Sequence, residues 1–319
     1  MSDMRILVTG GAGFIGSSLC EKLVAMGHRV VALDSMFRGS EANLESILDS
    51  DNFALYAGDV RDVEDLDACI DALGGVDLIY HLAAINGTKW FHEAAHSVID
   101  VNVNGTLRTL ELAMAHDAKY VFASSPEAFG EPLSQPLTDG DPMVFTNPSE
   151  HQRHSYGGSK YLGEIACHHA ARDGLDVQIL RPFNAYGPRL NGDEYGQVIG
   201  MFFHQLLDSR ELNVHGDGSQ TRSFTWIDDV VDGFVKAGMQ DLPTGEVFNI
   251  GSTEEISILE LANRIVKFDD GANISHGEGY YGDAKRRLPN TSNSEKLLGW
   301  KSTVPLDEGL ELMWESFTL

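Results

Sequence analysis

Tyr156 and Lys160 stand four positions apart in the run Ser-Tyr-Gly-Gly-Ser-Lys (155–160). On a helix that spacing is one turn, so both side chains share a face. An ammonium beside a phenol favours the phenolate, which makes Tyr156 a candidate base near neutral pH. Far upstream lies a glycine-rich opening, Thr-Gly-Gly-Ala-Gly-Phe-Ile-Gly (9–16). Its glycines permit a tight turn and close backbone approach to a pyrophosphate, and the helix that follows offers amide donors. Gly10, Gly13, Phe14, Ile15 and Gly16 are therefore candidate dinucleotide contacts. A base on a helix and a dinucleotide cradle together point to hydride-transfer chemistry.

Asp34 follows at the end of a second apolar run. A carboxylate there accepts hydrogen bonds from the adenosine ribose and repels a 2′-phosphate, which favours NAD over NADP. Arg38 nearby works the other way, since an arginine accommodates that phosphate. Asp59 and Val60 follow a third apolar run, where an adenine edge is held; Asp59 is equally suited to cap a helix beginning near Asp62.

The elements that must position these residues are legible in outline. Strands are predicted over Arg5–Val8, Arg29–Asp34, Phe53–Ala57, Asp77–His81, Lys119–Ser124 and Val177–Arg181, and helices over Phe14–Met26, Val63–Leu73, Val98–His116 and Tyr156–Asp173. Strands alternating with helices imply an α/β fold, a Rossmann-type doubly wound parallel sheet covered on both faces. After Arg181 the pattern changes to loops rich in Gly, Pro and Asn between shorter elements. Residues 1–181 are read as the NAD-binding domain with the catalytic residues. Residues 182–319 are read mainly as a smaller substrate-binding lobe, with some segments returning to the first domain. The cleft between them is the natural ligand site.

Composition narrows the function further. The 319 residues carry 23 Lys+Arg against 48 Asp+Glu, a formal net charge of −25. Such acidity disfavours nucleic acid and anionic membranes as partners, and an anionic substrate then needs a local basic pocket. There is no apolar run long enough to span a membrane. Three scattered cysteines, Cys20, Cys69 and Cys167, suggest neither a disulfide framework nor a metal site, and a cytoplasmic location is expected.

The chain resembles the extended short-chain dehydrogenase/reductase family, in particular the NAD-dependent epimerases and dehydratases of nucleotide-diphosphate sugars. The resemblance rests on the opening at 9–16, Gly-Asp-Val-Arg-Asp (58–62), His-Leu-Ala-Ala (81–84), Asn-Val-Asn-Gly-Thr (102–106), Ser-Ser-Pro-Glu-Ala-Phe-Gly (124–130), Tyr-Gly-Gly-Ser-Lys (156–160), Arg-Pro-Phe-Asn-Ala-Tyr-Gly-Pro-Arg (181–189), Gly-Asp-Gly-Ser-Gln-Thr-Arg-Ser-Phe (216–224) and Leu-Leu-Gly-Trp (297–300). It implies that Leu82, Ala83, Ala84 and Asn102 join the cofactor contacts. It implies that Ser125 is the hydroxyl partner of the Tyr156–Lys160 pair. Asn184, Arg222 and Arg286 or Arg287 would hold the nucleotide diphosphate. A homodimer is expected.

By this resemblance the reaction begins with oxidation of the sugar at C4. The 4-ketone opens three routes: epimerisation at C4, dehydration across C5 and C6, or loss of a C6 carboxylate. Glu127 stands where sugar dehydratases and uronic-acid decarboxylases carry Glu, and a dehydratase-type step with Glu127 as base at C5 is the preferred reading. A Glu127 that merely pairs with an arginine or caps a helix is the alternative. A simple 4-epimerase, a uronic-acid decarboxylase and a non-catalytic nucleotide-sugar or NAD-binding protein remain open. Two departures stand out. Pro126 replaces the Asp that serves some dehydratases as acid, and Phe129 replaces the usual Tyr. The polar stretch from Glu131 to His154, ending His-Gln-Arg-His, either shapes substrate selectivity or is a solvent-facing connection.

Overall fold

Aliphatic runs flanked by turns form the strands, and amphipathic runs between them form the covering helices. The computed structural model describes residues 3–150, 153–192, 196–278 and 285–318. The first half runs β1 (Arg5–Thr9), α1 (Phe14–Ala25), β2 (Arg29–Asp34), β3 (Phe53–Ala57), α2 (Val63–Leu73) and β4 (Leu78–His81). It continues with α3 (Thr88–Glu93), α4 (Ala95–Ile99), α5 (Gly105–His116), β5 (Lys119–Ala123), α6 (His154–Arg172) and β6 (Val177–Pro182). Helix α2 starts where the Asp62 side chain accepts from Glu64 N and stops at Gly74, whose φ is +70°. Both ends follow from side-chain capping and from glycine's freedom in the left-handed region.

The second half runs β7 (Ala185–Tyr186), α7 (Val198–Asp208), β8 (Glu211–His215), β9 (Thr221–Arg222), β10 (Thr225–Trp226), α8 (Ile227–Met239) and β11 (Glu246–Ile250). After it come β12 (Ile256–Ser257), α9 (Ile258–Ile265), β13 (Asn273–Gly277), β14 (Arg286–Arg287) and α10 (Leu306–Thr318).

Seven parallel strands form one sheet in the order β11-β6-β5-β4-β1-β2-β3. β11, from the second half, extends the sheet beyond β6 with Phe248 opposite Leu180. One face of the sheet packs on a core including Leu19, Val230 and Phe234 from α1 and α8, and the other on Leu66, Leu110 and Cys167 from α2, α5 and α6. Burial on both faces explains the continuous apolar strands. The chain leaves β1 toward β2 and β3, then crosses back to β4 on the other side. That reversal opens a crevice at the carboxyl ends of β1 and β4. Small pairings, β12-β9-β14 and β13-β8, build the lobe above it.

The helix predicted over Val98–His116 is interrupted. Asp100–Asn104 forms a π-helical turn between α4 and α5. At Gly105 any Cβ would lie 2.5 Å from Val60 Cγ2, so the helix passes tightly over the loop after β3. Asn102 lies within this turn and is buried.

Candidate active site

A cleft of about 820 Å³ runs from the glycine-rich turn to the lobe. At its floor, Gly10 has φ +70° and a Cβ there would come within 2.8 Å of Ala83 N. A Cβ at Gly16 would lie 2.0 Å from Gly10 O. Only glycine permits this turn to close against the β4 loop. Gly10, Gly13, Phe14, Ile15, Gly16, Asp34, Asp59, Val60, Leu82, Ala83 and Ala84 all line the cleft.

Asp34 closes β2 and is nearly buried. Its carboxylate accepts from Ala12 N at 3.0 Å and Met36 N at 2.8 Å. Burial raises its pKa, and those amides pull it back down. Arg38 also lines the cleft, donating through Nη1 to Asn86 O at 2.5 Å across the mouth. Asp59 does not cap α2, a task Asp62 performs; it is held by Arg61, which also lowers its pKa.

Asn102 is a correction. It is buried but does not line the cleft; its Oδ1 accepts from Ile85 N at 2.8 Å and its Nδ2 donates to Ser159 Oγ at 3.0 Å. Its amide is spent bracing the β4 loop against α6, so it positions cofactor-lining residues instead of forming part of the lining.

The α6 face presents Tyr156 and Lys160 to the cleft beside Ser125, which follows β5. Phe91 stacks on Tyr156 with ring centroids 4.8 Å apart. Ser125 Oγ accepts from Glu127 N at 3.2 Å, and Ser125 and Tyr156 both line the cleft. Lys160 Nζ donates to Ala123 O at 2.7 Å and lies 5.7 Å from the Tyr156 ring centroid. The surroundings of Tyr156 hold its pKa above the usual phenol value. Burial pushes the phenol well up, the Ser125 hydroxyl opposes that, and the Glu127 charge adds to it. Burial also lowers Lys160 to about 8, with Cys167 and Glu164 pulling it up.

Glu127 faces the cleft within a cationic group that the sequence only half disclosed. Its Oε1 lies 3.0 Å from Arg287 Nη1 and 3.6 Å from Arg153 Nη2. Burial works to raise its pKa, but Arg287, Arg153, Arg222 and His154 together hold it below the usual value. Arg287 is 3% exposed, and its Nε and Nη1 have no aligned hydrogen-bond acceptor among the described residues. Arg286 is the second correction. Adjacent strand residues point to opposite faces, and Arg286 turns outward to Glu255, with both contacts at 2.6 Å. Of the two arginines left open, Arg287 faces the cleft. Asn184 and Arg222 line it too, the former donating to Ser223 O at 2.8 Å.

The polar stretch after Phe129 is anchored in part, not simply solvent-facing. Glu131 N donates to Val144 O at 2.7 Å and Leu137 N to Leu288 O at 2.8 Å. His151 and Gln152 lie outside the described residues, whereas Arg153 enters the Glu127 group and His154 stacks edge-on with Phe145. Arg153 was not a candidate; its place one turn before Tyr156 was the available signal.

Residues 6–251 match the family described as the NAD dependent epimerase/dehydratase family. The chain belongs to that family. Its cofactor is accordingly NAD, and the glycine turn and Asp34 fit that group. This family member is 36% identical to UDP-glucuronic acid decarboxylase 6 of Arabidopsis thaliana, over 100% of this chain and 90% of that one. It is 35% identical to UDP-glucuronic acid decarboxylase 1 of Xenopus tropicalis, over 96% and 70%. Among solved structures, UDP-glucuronic acid 4-epimerase of Bacillus cereus aligns with a TM-score of 0.86 at 29% identity, covering 99% of both chains; it holds NAD and a UDP-4-deoxy-4-fluoro-glucuronic acid. Among the described residues no helix is long and apolar enough to cross a membrane, and no cluster suits a metal.

Proposed function

We propose that this enzyme decarboxylates a nucleotide-diphosphate hexuronate through a 4-keto sugar. The observation that carries the reading is Arg287: a buried guanidinium aimed into the cleft with two donors lacking aligned acceptors among the described residues. Buried donors left unmade are costly, and a carboxylate is the group whose geometry best satisfies an arginine fork. Arg153 adds a second positive charge at the same place. The two relatives named above, both UDP-glucuronic acid decarboxylases, support a uronate.

When bound, NAD would supply a positive charge in the cleft, accept the C4 hydride and give it back to C4 after carbon dioxide has left, so that the cofactor is regenerated and the product is a pentose. Tyr156 takes the proton of the sugar 4-hydroxyl, and Ser125 hydrogen-bonds that oxygen and orients it. Lys160, charged below about 8, supports the phenolate that takes this proton, the phenol's own proton having first passed to solvent. Once C4 is a ketone, the C6 carboxylate is β to it. The C5–C6 bond breaks, its electron pair passes to C5 and the C4 oxygen, and carbon dioxide leaves. Tyr156 and Ser125 donate to the resulting enolate oxygen. A solvent proton completes C5. Arg222 and Asn184 would hold the diphosphate.

Dehydration is less well supported. Glu127 is held ionised by arginines, which weakens it as a base, and Pro126 has no acid to offer. A 4-epimerase of the same uronate is the second reading, favoured by the Bacillus cereus structure. A non-catalytic binding protein would not need Ser125, Tyr156 and Lys160 in one cleft. The exposed Leu107 and Met114 of α5 and Leu162 and Ile165 of α6 would pair two subunits.

Incubation with UDP-glucuronic acid labelled in the carboxyl carbon tests this. Labelled carbon dioxide and a nucleotide pentose are expected. Recovery of a uronate inverted only at C4 would transfer the protein to the epimerases.

A further inference from the structure

Behind the catalytic residues lies a buried ion pair that the reaction itself does not use. Glu164 is 3% exposed and stands one turn beyond Lys160 on α6. Arg181, at the end of β6, donates to it through Nε at 2.8 Å and Nη2 at 2.6 Å. The Ser124 hydroxyl donates to the same carboxylate. Arg181 also donates through Nη1 to Asp139 O at 3.1 Å and lies over the Phe129 ring, 4.4 Å from its centroid. Ser124 N is held in turn by Leu180 O at 2.7 Å.

One carboxylate therefore joins three pieces that carry the site. They are the end of β5 leading into Ser125, the helix bearing Tyr156 and Lys160, and the strand end from which the 137–141 stretch is hung. A buried pair is rarely retained for net stability, because desolvation offsets the attraction. A fully satisfied buried network, by contrast, fixes geometry.

We propose that Glu164 is a positioning residue, which through Ser124 and Arg181 sets the distance between Ser125 and the Tyr156 phenol. The inference rests on the reading that Ser125 and Tyr156 act on the sugar 4-hydroxyl. Small displacements of such groups lower turnover steeply.

Ser124→Ala isolates the idea, because it leaves the Glu164–Arg181 pair intact and removes only the tether to β5. Two readouts are needed on the NAD-bound enzyme. The first is steady-state kinetics with the nucleotide sugar. The second is ultraviolet titration of the Tyr156 phenol, taken as the difference between each enzyme and its Tyr156→Phe counterpart, with no sugar present. Glu127 and Lys160 are the charged groups flanking that phenol, and neither is altered. A kcat loss on the order of 10-fold is expected, with KM and the thermal midpoint near wild type and phenol ionisation moved to higher pH. An unchanged kcat and phenol titration, or a kcat loss matched by loss of folding and NAD affinity, would overturn the proposal. Glu164→Gln should give the same phenol shift if it folds; Ser124→Ala decides if it does not. Should the wild type turn over no nucleotide sugar, the functional reading fails, while the phenol titration still judges Glu164.

Discussion

Glu127 Oε1 lies 3.0 Å from Arg287 Nη1, yet the two make no aligned hydrogen bond. A buried ion pair of that kind is electrostatically engaged and geometrically unfinished. Completion by a ligand oxygen is the natural resolution, because charge-assisted bonds from arginine to a carboxylate are among the stronger polar contacts. The same charge keeps Glu127 ionised, so it acts as a fixed anion in the cleft more readily than as a proton acceptor.

Tyr156→Phe should preserve the fold and NAD binding and lower kcat by about 10²–10⁴-fold, the usual contribution of a positioned base. Phe keeps the stack on Phe91, so the packing loss is small. Near-normal turnover in a folded variant would remove the central assignment.

Asp34→Ala should weaken NAD binding and narrow the gap between NAD and NADP, since ribose hydrogen bonds and repulsion of a 2′-phosphate are lost together. Burial raises the Asp34 pKa. The wild type should therefore lose NAD affinity as pH falls through that raised value, where the carboxylate becomes neutral. Fluorescence titration at several pH values checks both. Equal changes for the two cofactors, or a flat pH profile, would exclude Asp34 as the selector.

Arg287→Met and Arg286→Met should differ sharply. The first removes a buried charge facing the cleft and should cost about 2–5 kcal/mol of uronate affinity, seen mainly in KM. The second breaks a surface ion pair with Glu255, which solvent screens, and should leave both stability and KM near wild type. Similar kinetics in the two variants would show that the cleft does not recognise its ligand through Arg287.

That contrast also marks what the sequence could disclose. Strand and helix placement through β6 followed from apolar period and caps: Asp62 and Gly74 bound α2 where expected. The cofactor cleft was legible because one glycine-rich turn and one carboxylate carry it. Neighbouring Arg286 and Arg287 could not be told apart, because which face of a two-residue strand points inward is set by pairing with β9. Arg153 was hidden in a polar run, and nothing local signals the π-helical turn that carries Asn102. Glu164 and Arg181 meet only once α6 lies against β6.

The α5–α6 face offers a prediction in which charge and apolar area oppose each other. With a net charge of −25, two copies repel at low salt, whereas exposed Leu162 and Ile165 favour pairing. Sedimentation should show dimers that strengthen as salt screens the repulsion. Leu162→Glu combined with Ile165→Glu should yield monomers. A mass that ignores both changes would place any subunit contact elsewhere.

Glu127→Gln separates the routes open to a 4-keto sugar. Gln keeps the shape but removes the negative charge beside Arg287 and Arg153. In a decarboxylase, Glu127 shares the cationic group with the C6 carboxylate and repels it, so the bound substrate is strained toward loss of neutral carbon dioxide. Removing that repulsion should tighten substrate binding and slow the chemistry. KM and kcat should then fall together, the pattern left when ground-state strain is relieved. A dehydratase in which Glu127 is the C5 base would instead oxidise C4 and stop, with a 4-keto hexose and reduced cofactor accumulating and no solvent deuterium entering C5. A simple 4-epimerase would turn over nearly as before. A fall in kcat with KM unchanged or raised would refute the repulsion argument even if carbon dioxide is the product, and would leave Glu127 as a structural partner of Arg287.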